Sequence, residues 1–378
     1  MAIMKTALGL MSGTSMDGID LALIHSDGET VVEFGPTLSV SYPVLFKKRI
    51  EQGLADAQEL KTAKDRLRRP GSLAALEQEI TAWHADAVTS FLQRENMSAA
   101  QIDLLGFHGQ TVIHRPENAL TVQLGDGARL AMLTGITTVY DMRARDMELG
   151  GQGAPLVPVF HQALARAAAL EGEEPMVFVN IGGISNVTYV DGNDDPIAFD
   201  CGPGNALIDQ WVKGEGGVPY DQGGRIASEG GVSAAVVDLY LTNPFFRRTG
   251  PKSLDRSDFA PLAPGELDLS DGARTLAYIS AAAIAKSAEH FPRTPKRWIM
   301  CGGGRLNSTL IADLRGLLQP TGGEVILAED IGLDGDMLEA QAFGYLAIRS
   351  AKGLPLTFPT TTGCENPTTG GVLKGITH

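Results

Sequence analysis

Apolar residues near the start of the chain fall in three blocks, 5–11, 18–25 and 30–40, which alternate or cluster between Gly, Asp and Ser punctuation. The pattern predicts three consecutive strands joined by tight turns. The same rhythm returns at 176–182, 185–190 and 196–200, with Asp191-Gly192-Asn193-Asp194 marking a turn. Such a spacing is too long for a solenoid repeat. It reads as a duplication: two similar α/β domains, each opening with a strand triplet and continuing into helices.

Helical periodicity supports this reading. Leu73, Leu76, Ile80, Trp83, Ala87 and Phe91 fall on one face behind Ser72, a candidate N-cap. Further helices are expected over 155–170, 204–213, 231–241, 272–290, 306–318 and 335–350, separated by buried strands at 297–301 and 324–327. After residue 353 the chain turns Pro-, Thr- and Gly-rich, and this tail is expected to be ordered only where it packs back. The division expected is an N-terminal α/β domain, 1–138, which the tail 353–378 would complete, and a C-terminal α/β domain, 139–352, with a cleft between them. At 378 residues the chain exceeds what one core usually serves, which favours two domains.

Composition narrows the class. With 43% apolar and 20% charged residues the chain reads as a soluble globular enzyme. The apolar run Thr6–Met11 is too short for a signal peptide core, so a cytoplasmic protein without membrane association is expected. Cys201, Cys301 and Cys364 lie far apart without metal-ligand spacing and are expected as free thiols. A formal charge of −14 with no sustained basic run disfavours nucleic acid as a partner. It also repels anionic ligands, and the groups expected to offset it are Arg143, Arg145, Arg225, Lys252 and Arg256, with Mg²⁺ and helix N-termini.

Candidate chemistry gathers in glycine-flanked acidic segments. Met11-Ser-Gly-Thr-Ser-Met-Asp-Gly-Ile-Asp20 follows the first strand, and its small residues, the hydroxyls of Ser12, Thr14 and Ser15 and its carboxylates suit phosphate and Mg²⁺. Phe199-Asp-Cys-Gly-Pro-Gly-Asn205 places Asp200 at a strand end beside small residues, as a general base or as the cap of the helix near Asn205. The three glycines Gly302, Gly303 and Gly304 join a buried strand to a helix and would let adenosine lie against bare backbone. A tight strand-to-helix turn would use the same glycines. Neither a Walker A nor a G-x-G-x-x-G pattern occurs, so a different nucleotide fold is required. His108 and Gln110 in Gly106-Phe-His-Gly-Gln-Thr111, and Gln152 in Gly150-Gly-Gln-Gly-Ala-Pro155, offer paired donors and acceptors for sugar hydroxyls, although each segment alone also reads as a surface loop. Asp336 and Glu339 are expected on one face of a late helix.

In this order, from the Gly13 segment through His108-Gly-Gln-Thr111, Gly150-Gly-Gln-Gly-Ala-Pro-Leu156, Asn180-Ile-Gly-Gly-Ile-Ser-Asn186 and Asp200-Cys-Gly-Pro-Gly-Asn205 to Glu339-Ala-Gln-Ala-Phe343, the motifs closely resemble the anhydro-N-acetylmuramic acid kinases. That family belongs to the sugar kinase, actin and heat-shock chaperone superfamily. The resemblance implies an actin/hexokinase-like (ribonuclease H-like) duplicated fold, and an enzyme that uses ATP and water to open the 1,6-anhydro bridge of its sugar and phosphorylate O6 in peptidoglycan recycling. It implies that Gly13, Thr14, Ser15, Met16, Asp17, Gly18, Ile19 and Asp20 bind ATP phosphates, and that Gly302, Gly303 and Gly304 lie near the adenosine. Asp200 would take a proton from the attacking water and Glu339 would help hold that water. His108 and Gln152 would line the sugar site, and Arg143 and Arg145 would contact the lactyl carboxylate. A homodimer is expected from the family.

The sequence departs from the family pattern at Leu254-Asp255, where Thr-Gly is more usual, at Cys201, where Thr follows the catalytic Asp, and at Met142, where Phe is usual. These departures bear on sugar specificity. A levoglucosan-type kinase is the nearest alternative, and a non-catalytic nucleotide-binding protein of the actin or chaperone type the more distant one.

Overall fold

Strand β1 (Lys5–Ser12) opens a triplet with β2 (Gly18–Ser26) and β3 (Val32–Ser41), and helices α1 (Val44–Asp56) and α2 (Leu73–Arg94) follow. Strands β4 (Leu104–Arg115) and β5 (Leu120–Leu124), helix α3 (Gly127–Thr134), the short β6 (Thr138–Tyr140) and helices α4 (Ala144–Glu148) and α5 (Pro158–Ala167) come next. A second triplet, β7 (Met176–Ile181), β8 (Ile184–Val190) and β9 (Ile197–Pro203), leads into α6 (Ala206–Gly216), α7 (Arg225–Ser228), α8 (Ala234–Leu241) and α9 (Leu269–Lys286). Then come β10 (Arg297–Cys301), α10 (Ser308–Leu318), β11 (Glu324–Leu327), α11 (Leu338–Ala351), α12 (Pro359–Thr362) and β12 (Val372–Lys374). This computed structural model describes residues 3–13, 16–167, 174–254 and 258–375.

Both sheets share one strand order. In the first it is β12-β6-β4-β1-β2-β3, with β5 paired to β4; in the second it is β11-β10-β7-β8-β9. Each triplet is antiparallel, and the strands on its far side run parallel to the first member: β4 beside β1 and β6 beside β4, β10 beside β7 and β11 beside β10. The two triplets predicted this duplicated α/β plan, and the family resemblance its ribonuclease H-like type.

The chain divides into Met1–Ala169 with Met337–His378, and Leu170–Asp336. The expected boundaries at 138/139 and 352/353 are therefore displaced, and α11 belongs to the first unit. Glycines explain why. A Cβ on Gly9 of β1 would lie 1.8 Å from the Ala340 carbonyl oxygen, and one on Gly106 of β4 would lie 2.0 Å from the Phe343 carbonyl oxygen. Backbone of α11 rests directly on backbone of β1 and β4, a contact that only residues without a side chain allow. The tail packs back as expected: β12 pairs antiparallel with β6, and Ser350 donates to the Gly370 carbonyl at 2.6 Å.

Each unit has its own core. Leu8, Leu10, Ile19, Leu21, Phe91 and Phe107 are buried in the first; Val177, Val179, Trp211, Ile284, Trp298 and Met300 in the second. All six predicted positions of α2 face protein, Trp83 only partly, but Ser72 does not cap the helix: its hydroxyl donates to Asp56 at 2.6 Å. Helices α1 and α3 were not foreseen. α3 carries regular signals, with Asp126 accepting from Ala128 and Arg129 N–H at 3.0 Å and Gly135 ending it in the left-handed conformation.

Candidate functional site

In the first unit, the exit of β1 is held by side chains from β4. Ser12 Oγ donates to Gln110 Oε1 at 2.5 Å, and Gln110 Nε2 donates to the Gly13 carbonyl at 3.1 Å. Thr14 and Ser15 lie outside the described residues. Met16 adopts a left-handed conformation (φ +57°), and its N–H donates to the Gly13 carbonyl at 3.2 Å. Not every residue of this stretch faces a ligand. Ile19 is fully buried in the core, and a Cβ on Gly18 would lie 2.3 Å from the Val40 carbonyl oxygen. Asp17 pairs with Lys47 at 2.7 Å on the surface, and Asp20 accepts from Ser39 at 2.6 Å.

His108, read from the sequence as part of a sugar-site wall or of a surface loop, lies buried within β4. Pairing with β1 slips here, Leu10 facing Phe107 and Ser12 facing Gln110, so His108 and Gly109 together oppose Met11. Gly109 takes a positive φ of 72°. A bulge of this kind turns a side chain out of the regular alternation. The imidazole lies within 3.1 Å of both the Ser12 carbonyl, through Nδ1, and Arg143 Nη2, through Nε2. A guanidinium only donates, so Nε2 accepts and the proton resides on Nδ1, donated to Ser12. Burial, with the Arg143 charge beside it, pushes the His108 pKa down to about 3, so the ring is a neutral orienting group. The ring packs at a tilt against Phe343 of α11, ring centres 4.7 Å apart.

Arg143 also donates to the Gly153 carbonyl at 2.9 Å. Burial brings its pKa down to about 10, opposed by Glu339 and Asp146, which leaves it charged at neutral pH. Glu339 stands in the first turn of α11. Its side chain reaches solvent, yet the protein around it pushes its pKa up; Asp20 adds to the rise and Arg143 opposes it. Gln152 is partly exposed in the adjoining loop, its N–H donating to the Thr362 carbonyl at 2.8 Å. The structure thus brings His108, Arg143 and Glu339 together. Arg145 is elsewhere: it is exposed and forms a surface pair with Glu148 at 3.2 Å.

In the second unit, β9 continues past Asp200 to Pro203. Asn186 faces Asp200 and Ser185 faces Gly202, which leaves Cys201 as the unmatched residue of a second bulge. Asp200 does not cap α6. Its carboxylate accepts from Leu254 N–H at 2.8 Å, and its own N–H donates to the Lys252 carbonyl at 2.9 Å. Burial raises its pKa to about 6, against the Leu254 bond, which lowers it. A carboxylate so placed is a base near neutrality. Further along, backbone packs closely on backbone: a Cβ on Gly204 would lie 2.3 Å from the Gly182 carbonyl oxygen.

Lys252, expected to face an anion, is buried instead. Its ammonium lies 4.5 Å from the Phe245 ring centre and 5.2 Å from that of Phe199, and 3.3 Å from both the Phe245 carbonyl and His290 Nε2. Held in this aromatic box, it anchors the segment that grips Asp200. Arg225 is exposed, and Arg256 lies outside the described residues.

The three glycines separate in role. Gly302, at φ +72°, would clash with Asn180 Oδ1 at 2.2 Å if it carried a Cβ, and Gly304 with Ile181 Cγ2 at 2.1 Å; at Gly303 a Cβ would meet nothing within 4 Å. Gly303 lines a cavity of about 540 Å³ with Asn205, Asp209, Tyr220, Gln222 and Leu306. That volume lies in the range of small-ligand pockets, and exposed Tyr220 and Leu306 offer apolar surface to a flat ring. The sequence reading missed this wall, whose only local signal was the glycine pair Gly223-Gly224 between polar residues. Asp336 precedes α11 instead of lying on it, and pairs with Arg305 at 2.8 Å. Among the described residues, no three His, Cys, Asp or Glu side chains converge on one point as a metal cage would require.

Two units of one ribonuclease H-like strand order define an actin/hexokinase-like fold, and the second carries a half-buried carboxylate and an open cavity beside its glycines. Comparison with known proteins narrows the class. A family model described as anhydro-N-acetylmuramic acid kinase matches residues 5–375. The anhydro-N-acetylmuramic acid kinase of Rhizobium etli is 54% identical over 99% of this chain and 99% of its own length; that of Brucella suis is 53% identical over 98% of each, and that of Agrobacterium fabrum 52% over 99% of each. The chain belongs to the anhydro-N-acetylmuramic acid kinase family.

Proposed function

We propose that this kinase uses ATP and water to open the 1,6-anhydro ring of anhydro-N-acetylmuramate and to phosphorylate O6, giving N-acetylmuramate 6-phosphate and ADP. The observation that carries the reading is the Asp200 carboxylate, held at a strand bulge among small residues with a pKa of about 6. Asp200 takes a proton from water as the water oxygen bonds to C1 and the C1–O6 bond breaks. The freed O6 bonds to the γ-phosphorus, and the bond to the ADP oxygen breaks. A positioned base typically contributes about 10²- to 10⁴-fold, and orientation and charge stabilisation supply most of the rest in phosphoryl transfer. Glu339 helps hold the water, Arg143 takes the lactyl carboxylate, and His108, neutral and donating to Ser12, orients Arg143.

ATP would meet the chain in two places. The segment following β1 would meet the phosphates, and the cavity beside Gly303 would accept the nucleoside. Mg²⁺ would enter with the nucleotide, held chiefly by phosphate oxygens and water, an arrangement that needs no cage of protein carboxylates. A homodimer and a cytoplasmic location complete the reading. Among the described residues no helix is long and apolar enough to cross a membrane.

The test follows ¹⁸O from labelled water with ATP·Mg²⁺ and either anhydro-N-acetylmuramate or levoglucosan. Label at C1 of the phosphorylated amino sugar, lost in Asp200→Asn, is expected. Turnover of levoglucosan alone would transfer the assignment to the simpler anhydrosugar, and product without label at C1 would overturn the water-dependent opening.

A further inference from the structure

The Thr-rich tail had no role in the sequence reading, yet two of its hydroxyls reach a buried carboxylate. Asp146, on α4, is 1% exposed; its Oδ1 accepts from Thr357 Oγ1 at 2.5 Å and from Thr362 Oγ1 at 2.7 Å. Both threonines are buried as well. The other oxygen, Oδ2, accepts from Gly153 N–H at 2.7 Å. A Cβ on Gly151 would lie 2.2 Å from that oxygen, so the glycine loop closes tightly around the carboxylate. The tail grips the same loop a second time, through the bond from Gln152 N–H to the Thr362 carbonyl at 2.8 Å.

What the loop then does is specific. The Gly153 carbonyl, one atom group removed from the N–H that Asp146 holds, accepts from Arg143 Nη1 at 2.9 Å, and Arg143 Nη2 donates to His108 at 3.1 Å. The guanidinium is therefore fixed on two sides, and one of them is set by Asp146. The threonine hydroxyls complete the bonding of a buried carboxylate that would otherwise draw on water or swing away.

We propose that Thr357 and Thr362 are positioning residues for substrate recognition: through Asp146 and the Gly150–Gly153 loop they set the orientation in which Arg143 receives the substrate's carboxylate. The inference rests on the reading of Arg143 as the carboxylate contact. Neither threonine touches the substrate. Each acts by keeping a planar, bidentate donor in register, where a displacement of a fraction of an ångström is felt mainly by the ligand group that pairs with it.

The test compares two 1,6-anhydro amino sugars, one bearing the lactyl carboxylate and 1,6-anhydro-N-acetylglucosamine, which lacks it, through kcat and KM, or Ki where the second sugar is not turned over. Thr362→Val is expected to raise KM for the carboxylate-bearing sugar roughly tenfold, leaving kcat, KM for ATP and the constants for the carboxylate-free sugar within twofold. Thr362→Ser, which restores the hydroxyl, should return KM to the wild-type value. Arg143→Gln should show the same discrimination, more strongly. If Arg143→Gln discriminates between the sugars and Thr362→Val does not, the positioning role falls while the reading of Arg143 stands. If Arg143→Gln fails to discriminate, both fall. Thr357→Val carries the same test should Thr362→Val not fold, since each hydroxyl supplies one of the two bonds to Oδ1. A uniform loss towards both sugars, or a lowered melting temperature with unchanged kinetics, would mark the threonines as structural and overturn the proposal.

Discussion

Gly106→Ala places one methyl group where β4 meets α11, and its cost follows from the packing. The new Cβ would lie 2.0 Å from the Phe343 carbonyl oxygen and 2.5 Å from its carbonyl carbon. Ordinary contact begins near 3.4 Å, so about 1.4 Å must be found by moving one backbone from the other. Neither neighbour is the free end of a side chain that could rotate aside. Overpacking of this kind costs about 1–3 kcal/mol, and a helix backbone against a central strand belongs at the upper end. For a unit of this size that lowers Tm by roughly 6–12 °C. Activity should suffer separately, because α11 carries Glu339 and packs Phe343 against His108. A displacement of about 1 Å at a positioned group can remove about 10²-fold in rate. Thermal unfolding and steady-state phosphorylation of the sugar measure the two effects. Gly214→Ala is the internal comparison: it lies within α6 with nothing within 4 Å of its Cβ, and the same substitution there should add about 0.5–1 kcal/mol. If Gly106→Ala melts within 2 °C of wild type, by that same size scaling, and keeps its kcat, the backbone contact is not what holds α11, and the reasoning fails.

Four further outcomes are expected. Under the role proposed for Asp200, a base that acts ionised, kcat/KM should fall as pH drops through about 6, and Asp200→Asn should abolish that limb together with turnover. Its folded pKa is raised above the ordinary carboxylate value, so the folded state holds the extra proton. Stability should therefore decline as pH rises from about 4 to 6, and Asp200→Asn, melted across that range, should lose this slope. Lys252→Met keeps the stem among Phe199 and Phe245 but removes the charge that anchors the segment carrying Leu254; as the Leu254 bond lowers the Asp200 pKa, its loosening should move the acidic limb to higher pH. Gly303→Ala should fold normally and raise KM for ATP alone, whereas Gly304→Ala, which meets Ile181, should lower Tm; equal behaviour of the two would remove the nucleoside from the Gly303 cavity.

Much of this protein is written locally. Period-two apolar blocks with Gly-Asp punctuation mark β1–β3 and β7–β9 because alternation and turn chemistry are properties of neighbouring residues, and the duplication follows from comparing two such stretches. Asp200 and His108 stood out as candidates for a similar reason: a polar side chain beside glycines is a local signal. Where those side chains point was not visible. Each sits at a bulge, and a bulge is created by the register of a partner strand from elsewhere in the chain. The same limit governs the charges. Arg143 and Arg145 look alike in sequence, two residues apart, yet one is bonded to His108 and Gly153 and feels the charge of Glu339, while the other pairs with Glu148 in solvent. Lys252 reads as a cation for an anionic ligand until Phe199, Phe245 and His290 close around it. The unit boundary fell beyond sequence reasoning as well, because Gly9 and Gly106 admit α11 only when a helix more than 200 residues away lies against them. Periodicity and turn residues determine which elements form; desolvation, backbone register and close approach between distant segments decide which polar groups become a site, since each depends on what surrounds a group and not on what adjoins it in the chain.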